Sequence, residues 1–481
     1  MHQIYARIRE LKVLEQLYTS GQAEFLAIYG RRRIGKTFLI REYFKKKGVY
    51  FALTGVKGAN VRKQLKNFSE EFDRVFGSSE RYVPKDWFEA FALLRKAIEK
   101  LKGEERIILF FDELPWLATP RSGFLDDLDH FWNRYMSDNK RVILIVCGSA
   151  ASWMIKKVVQ DKGGLHGRLT AKIRLLPFDL SETEVFLRQR GVTLSRKAII
   201  DIYMAIGGVP KYLSYIQKGK SAMQIIGHLC FDGPLTDEFN ELYSSLFENH
   251  NRHINIVKAM AEHPGGLTKT ELAKATDMSP GGGMNGVIEE LEQSGFILPT
   301  RDFGKQKKEM RFRLIDEYSL FYLKWAPRAK ESNLTGMDDK FWMNVFNTPL
   351  GQIWAGYAFE ILCFKHLSRI KEALGISGVL TNASGWNYKP PKGSTEKGIQ
   401  IDLLIDRADN CINLCEIKYC NDEFVINKTY DQELRTKKST FLSHSKTRKS
   451  VFTTLISPYG IKKNGYFATA EVTLTMEDLF G

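Results

Sequence analysis

The sequence predicts an α/β fold with a parallel sheet in its first half, and three observations carry that reading. Gly30-Arg31-Arg32-Arg33-Ile34-Gly35-Lys36-Thr37 is a complete G-x-x-x-x-G-K-[ST] run. It stands between the apolar strand Phe25-Leu26-Ala27-Ile28-Tyr29 and a segment, residues 38–44, whose apolar residues have helical spacing. Two further continuous apolar runs, Ile107-Ile108-Leu109-Phe110-Phe111 and Val142-Ile143-Leu144-Ile145-Val146, read as strands buried on both faces. Strands of this kind alternating with helices predict a parallel sheet covered by helices.

At 481 residues the chain is too long for one core, and roughly two to four domains are expected. A hydrophobic content of 43% with 26% charged residues describes a globular protein. Lys and Arg exceed Asp and Glu by 71 − 56 = 15. That excess suits a polyanion such as nucleic acid, and equally a merely basic protein. No apolar run approaches the ~20 residues that span a bilayer, and the N-terminus lacks the pattern of a secretory signal. The cysteines are scattered: even Cys411, Cys415 and Cys420 form no C-x-x-C pair. A reducing cytoplasm is therefore the expected compartment, with no membrane partner.

Taken in order, residues 8–18 form an amphipathic helix with Leu11, Leu14, Leu17 and Tyr18 on one face. The loop follows its strand. Its glycines let backbone N–H groups turn inward around phosphate, and the helix N-terminus adds its positive end. Residues 30–37 are thus the expected nucleotide cradle: Lys36 reaches the β- and γ-phosphates and Thr37 holds Mg²⁺. Lys45-Lys46-Lys47-Gly48 closes that helix. The run into Asp112-Glu113 ends a buried strand at the edge where ligands bind. Asp112 is placed for the Mg²⁺ shell and Glu113 for the attacking water. Cys147-Gly148-Ser149 ends the next strand, with Ser149 where a γ-phosphate sensor would sit. Arg168, in His166-Gly167-Arg168, is a candidate arginine finger or sensor, or a loop arginine in a salt bridge. Ser181 with Glu184 reads as a capping box opening a helical region, and Gly207-Gly208-Val209-Pro210 breaks it.

On these residues, and on Asp112-Glu113-Leu114-Pro115-Trp116-Leu117, residues 1–250 resemble the archaeal-type ATPase family, a branch of the AAA+/STAND P-loop ATPases. The resemblance implies ATP binding, slow hydrolysis and a nucleotide switch. It implies a γ-phosphate contact for Arg168. The core is expected over residues 1–179 and a helical lid over 180–250.

Residues 251–335 read as a winged helix-turn-helix: three helices, the second capped by Thr268 and Glu271 and the third opened by Ser279, then a β-hairpin. Its third helix offers Asn285 as the only obvious base reader and carries Glu289, Glu290 and Glu292. The wing is basic, with Arg301, Lys305, Lys307, Lys308, Arg311 and Arg313. Phosphate contact without sequence reading and a purely protein-binding role both remain open.

In residues 340–481, Gln400-Ile401-Asp402-Leu403-Leu404-Ile405-Asp406 and Asn413-Leu414-Cys415-Glu416-Ile417-Lys418 read as a hairpin. Glu416 and Lys418 share one face, and Asp402 can converge with them. Two carboxylates make a hard oxygen site for Mg²⁺, and Lys418 can position water. This D…E-x-K set resembles the PD-(D/E)xK nuclease superfamily, with Glu360 as the helical acid that often precedes it and Ile401 in place of the proline. The resemblance implies an α/β domain binding Mg²⁺ through Glu360, Asp402 and Glu416, with Asp402, Glu416 and Lys418 cleaving phosphodiesters. Lys428, Arg435, Lys437, Lys438, Lys446, Arg448 and Lys449 offer a phosphate-binding surface. The chain is expected to be an ATP-controlled protein acting on nucleic acid, DNA before RNA. The alternative is a scaffold with an inactive nuclease fold. A homo-oligomer follows if Arg168 acts in trans.

Overall fold

The computed structural model describes residues 4–77, 82–160, 165–306, 309–331, 339–391, 393 and 397–481; Lys307 and Lys308 of the wing lie outside them. The chain forms two compact units, Met1–Pro177 with Ser244–Glu248, and Phe178–Tyr243 with Asn249–Gly481.

The first unit is built on five parallel strands: β1 (Glu24–Tyr29), β2 (Val49–Thr54), β3 (Ile107–Asp112), β4 (Val142–Gly148) and β5 (Ala171–Arg174), in the order β2-β3-β4-β1-β5. Every residue of β3 and β4 is buried. Alternate residues feed opposite faces, as period 2 requires. Phe25, Phe51, Leu109 and Phe111 pack with Trp87 and Phe91 on one side. Leu26, Ile28, Ile108 and Phe110 pack with Leu14 and Ile40 on the other. This order sets the carboxyl ends of β3, β4 and β1 side by side, where the loop after β1 and the acids after β3 emerge.

In the second unit the first helix, Leu180–Gln189, is capped by Asp179 and Glu182 in a reciprocal capping box, two residues before the expected Ser181 and Glu184. Glu184 is instead buried against Arg188 and Arg196, which removes it from cap duty. Gly207 adopts φ +65, and a Cβ on Gly208 would sit 1.9 Å from the Phe178 carbonyl oxygen. The Phe178 N–H donates to the Gly208 carbonyl at 2.7 Å. The break in the helical pattern is therefore a backbone crossing that tolerates no side chain.

Helices His250–Ala261, Lys269–Thr276 and Gly282–Gln293 accompany an antiparallel sheet of β6 (Leu267–Thr268), β7 (Ile297–Thr300) and β8 (Arg311–Leu314), ordered β6-β8-β7. The third helix starts at Gly282 rather than Ser279, with Gly281 as its N-cap. A mixed sheet follows: β9 (Thr381–Tyr388), β10 (Ile399–Arg407), β11 (Cys411–Ile417), β12 (Ser450–Ile456) and β13 (Val472–Leu474), ordered β13-β12-β11-β10-β9. β9, β10 and β11 pair antiparallel; β11, β12 and β13 pair parallel.

Buried polar contacts tie residues 178–206 to this C-terminal part. Lys197 Nζ lies 2.8 Å from Asp201 Oδ1 and donates to the Tyr419 hydroxyl at 2.6 Å, while that hydroxyl donates to Asp201 Oδ1 at 2.6 Å. Such a pair repays its desolvation only when its remaining polar atoms are satisfied, as here. The Leu180 N–H donates to His366 Nε2 at 3.1 Å, and Lys365 Nζ pairs with buried Glu317 at 2.6 Å. Among the described residues no helix is long and apolar enough to cross a membrane.

Candidate functional site

The loop after β1 owes its shape to Gly30, at φ +147, where a Cβ would fall 2.2 Å from the Leu175 carbonyl oxygen. Gly35, at φ +91, is the N-cap of the following helix, Lys36–Phe44. Between them Arg31 is buried, Arg32 is exposed and Ile34 enters the core. Arg33 takes φ +71. The buried Arg7 guanidinium donates to the Ile34 carbonyl at 3.1 Å. Sequence reading passed over Arg7, and only its place at the start of the first helix hinted at it.

Lys36 is buried, and its ammonium donates to the Gly30 and Arg31 carbonyls at 2.7 and 2.9 Å and to Ser149 Oγ at 3.3 Å. Thr37 Oγ1 donates to Asp112 Oδ2 at 2.8 Å. Glu113 Oε1 accepts from Ser149 Oγ at 2.5 Å, and Glu113 Oε2 from the Ser149 N–H at 3.2 Å. The structure thus gathers Lys36, Thr37, Asp112, Glu113 and Ser149 at one sheet edge. Arg168 stands apart from them, exposed on a 3-10 turn, without a hydrogen bond or ion pair to any described residue. The chemistry fits a nucleotide with its metal. The loop offers a buried lysine for phosphate, and the Thr37/Asp112 oxygen pair suits Mg²⁺.

A second cluster lies in the C-terminal sheet. β10 and β11 pair from Leu403 with Cys415 onward; Asp402 and Glu416 stand just beyond that pair, where β10 is bulged against β9 between Ile401 and Leu404. Lys418 follows just after β11, and its ammonium lies 2.9 Å from Glu416 Oε1. The helix Lys428–Ser445 adds two groups. Tyr430 donates its hydroxyl to Glu416 Oε1 at 2.6 Å, and Lys437 its ammonium to Glu416 Oε2 at 2.9 Å. Burial pushes the Glu416 carboxyl up, but Lys437, Lys418 and the Tyr430 hydrogen bond outweigh it and hold the group below its ordinary value. Glu360, in the helix Pro349–Lys365, is pushed up to about 8 by burial and then by the Asp402 charge.

Both Glu416 oxygens are thus already satisfied, and Gln400 donates to Asp402 Oδ1 at 2.7 Å. Among the described residues no group of three His, Cys, Asp or Glu side chains is arranged to hold a metal ion. Glu360, Asp402 and Glu416 do not fit Mg²⁺ in this conformation.

Other candidate contacts are also engaged. Lys269 donates to Asn285 Oδ1 at 2.7 Å, and Glu290 meets buried His253 at 2.9 Å. Of the seven C-terminal cations, Arg435 pairs with Asp431, Lys437 with Glu416, Lys438 with Glu471 and Lys449 with Asp406.

Residues 4–216 match the family described as an ATPase domain predominantly from Archaea. Over those residues the chain is similar to that ATPase domain. An uncharacterized protein of Methanocaldococcus jannaschii is 27% identical over 332 residues, 66% of this chain and 68% of its own. An uncharacterized ATP-binding protein of the same organism is 40% identical over 43 residues, 9% of this chain and 73% of its own. Among solved structures, the Walker-type ATPase of Pyrococcus abyssi aligns with TM-score 0.46 and 16% identity, over 67% of this chain and 96% of its own. The ORC2 protein of Aeropyrum pernix aligns with TM-score 0.43 and 15% identity, over 69% of this chain and 97% of its own.

Proposed function

We propose that this chain binds and hydrolyses ATP in its first unit and uses the cycle to control a nucleic-acid-directed second unit. The observation that carries the reading is the convergence of Lys36, Thr37, Asp112, Glu113 and Ser149 at the ends of three neighbouring strands. Lys36 exchanges the Gly30 and Arg31 carbonyls for the β- and γ-phosphates, and the loop N–H groups bind the phosphate oxygens. Thr37 and Asp112 would hold a Mg²⁺ ion, which would supply charge neutralisation on those phosphates. Glu113 leaves Ser149 to orient the attacking water and take its proton. Ser149 then faces the γ-phosphate, and Arg168 is the candidate for a contact supplied by a second copy. Residues 1–179 serve as the core and 180–250 as the lid.

For the second unit we read residues 251–335 as a winged helix and 340–481 as a PD-(D/E)xK-like domain. The exposed wing cations Arg301 and Lys305 suit phosphate contact. Asp402, Glu416 and Lys418 are the groups for phosphodiester cleavage, of DNA in the first instance. A second reading, an ATP-controlled scaffold that binds nucleic acid or protein without cutting, is favoured by the saturated Glu416 carboxylate and the engaged Asn285. Both readings expect Lys36→Ala to abolish ATP binding and hydrolysis; retained ATPase activity would sink the first-unit assignment. Loss of DNA cleavage in Asp402→Ala separates the two, since the scaffold has none to lose.

A further inference from the structure

The wing hairpin and the end of the helix Lys428–Ser445 meet at β9, the edge strand of the mixed sheet. The Phe303 N–H donates to the Gly385 carbonyl at 2.8 Å, and the Phe303 ring lies 5.6 Å from Phe441. Trp386 and Tyr388 are two residues apart on β9 and so share one face. Phe441 and His444 are three apart on the helix and so are neighbours on its surface. The two pairs register against each other. Phe441 meets buried Trp386 edge-on at 5.2 Å, and His444 stacks on Tyr388 with ring centroids 3.9 Å and planes 23° apart. The inner pair belongs to the core. The outer pair does not: Tyr388 is half-buried and His444 is exposed. Tyr388 covers one face of the imidazole, and the other is open to solvent.

Cations surround this outer pair. Lys389 follows Tyr388 directly, and Lys446 comes two residues after His444. Lys397 comes two residues before Ile399, the partner of Tyr388 in the β9–β10 ladder. Arg301 comes two residues before Phe303. All four are exposed, and none has a hydrogen bond or ion pair to a described residue. Their neighbours Arg435, Lys438 and Lys449 are instead neutralised by Asp431, Glu471 and Asp406. Open ring and unpaired cations together suit a strand with unpaired bases, whose phosphates meet the cations while a base face meets the ring. A duplex offers the phosphates but keeps its base faces inside its own stack.

We propose that His444, backed by Tyr388, is a stacking platform for a base of single-stranded DNA, and that Arg301, Lys389, Lys397 and Lys446 hold the strand's backbone. This rests on the reading of the second unit as nucleic-acid-directed, and narrows it to strands with unpaired bases. The docked wing and the helix end then form one track.

The test is fluorescence anisotropy with the full-length chain and three probes: a short single-stranded deoxyoligonucleotide, the same sequence as a duplex, and the same strand with abasic spacers in place of nucleosides. Wild type is expected to bind the base-bearing single strand tightest. H444A and H444K are expected to weaken that binding about tenfold, the loss of one stacked base, without weakening the duplex. H444F, which restores a ring without a charge, is expected to bind as wild type does. K446A is expected to lower the slope of log affinity against log salt by about 0.7, one phosphate of a single strand. The platform is overturned if H444A binds the single strand as wild type does, if H444K rescues where H444F fails, or if the abasic strand binds as tightly as the base-bearing one. A duplex bound as tightly as the single strand, with both indifferent to His444, would discard the platform and keep the nucleic-acid reading. Binding to none of the three probes would discard both.

Discussion

Replacing Glu360 by glutamine is expected to stabilise the second unit, and to do so only once the pH rises. Glu360 is a carboxyl inside the largely apolar helix Pro349–Lys365, held up to about 8 from 4.5, first by burial and then by Asp402, against the relief given by Arg313 and Lys418. Below 4.5 the group is protonated in both folded and unfolded chains and costs nothing. Between 4.5 and about 8 the unfolded chain releases the proton while the folded one keeps it, so native stability falls as pH rises. The shift of 8 − 4.5 = 3.5 pH units, at about 1.4 kcal/mol each, sets a ceiling of about 5 kcal/mol, fully lost above the folded value. Glutamine resembles the protonated acid and cannot ionise. The advantage of E360Q over wild type should grow across this window and then level off. Two units need not unfold together, so the assay is amide hydrogen exchange in the helix itself, run with both proteins over the pH range. A difference independent of pH, or a Glu360 resonance titrating near 4.5 in the native protein, would refute the reasoning.

Other outcomes can be measured independently. Glu113→Gln should retain ATP binding while slowing hydrolysis by about a hundredfold or more in single-turnover assays. His366→Gln keeps an acceptor for the Leu180 N–H but removes a buried imidazole whose protonation is depressed to about 4 from 6.5 by burial. Wild-type stability should be full above 6.5 and decline by up to about 3 kcal/mol as pH falls through 4, a slope the variant lacks in urea unfolding. Gly208→Ala sets a methyl group against the Phe178 carbonyl and should cost about 2 kcal/mol or more in thermal unfolding.

The parallel sheet and its loop were legible because strand, glycines, lysine and helix follow one another within twenty residues. What escaped the sequence was tertiary. Glu113 and Ser149 are 36 residues apart, and nothing local says that one holds the other. Asp179-x-x-Glu182 and Ser181-x-x-Glu184 are overlapping cap patterns, and the choice between them follows from Glu184 being taken by Arg188 and Arg196. Glu290 looked like an obstacle to DNA reading; its partner is a buried histidine on another helix. Lys437 was the costliest miss, and a signal for it existed. Tyr430, Leu434, Lys437 and Phe441 repeat at helical spacing, so the lysine falls in the inward stripe. The surrounding run of cations masked it.

The bond triangle of Lys197, Asp201 and Tyr419 has a consequence for how this architecture could spread. A segment from residue 340 onward carries Tyr419 but leaves both of its partners behind, along with the Leu180 amide that His366 accepts from. Moved by recombination onto another protein, it would arrive with a wet seam and unmet polar groups. Its inheritance should therefore follow that of the helices beginning at Leu180. Lineages that exchange one should exchange the other, and compensating changes at 197, 201 and 419 should travel together.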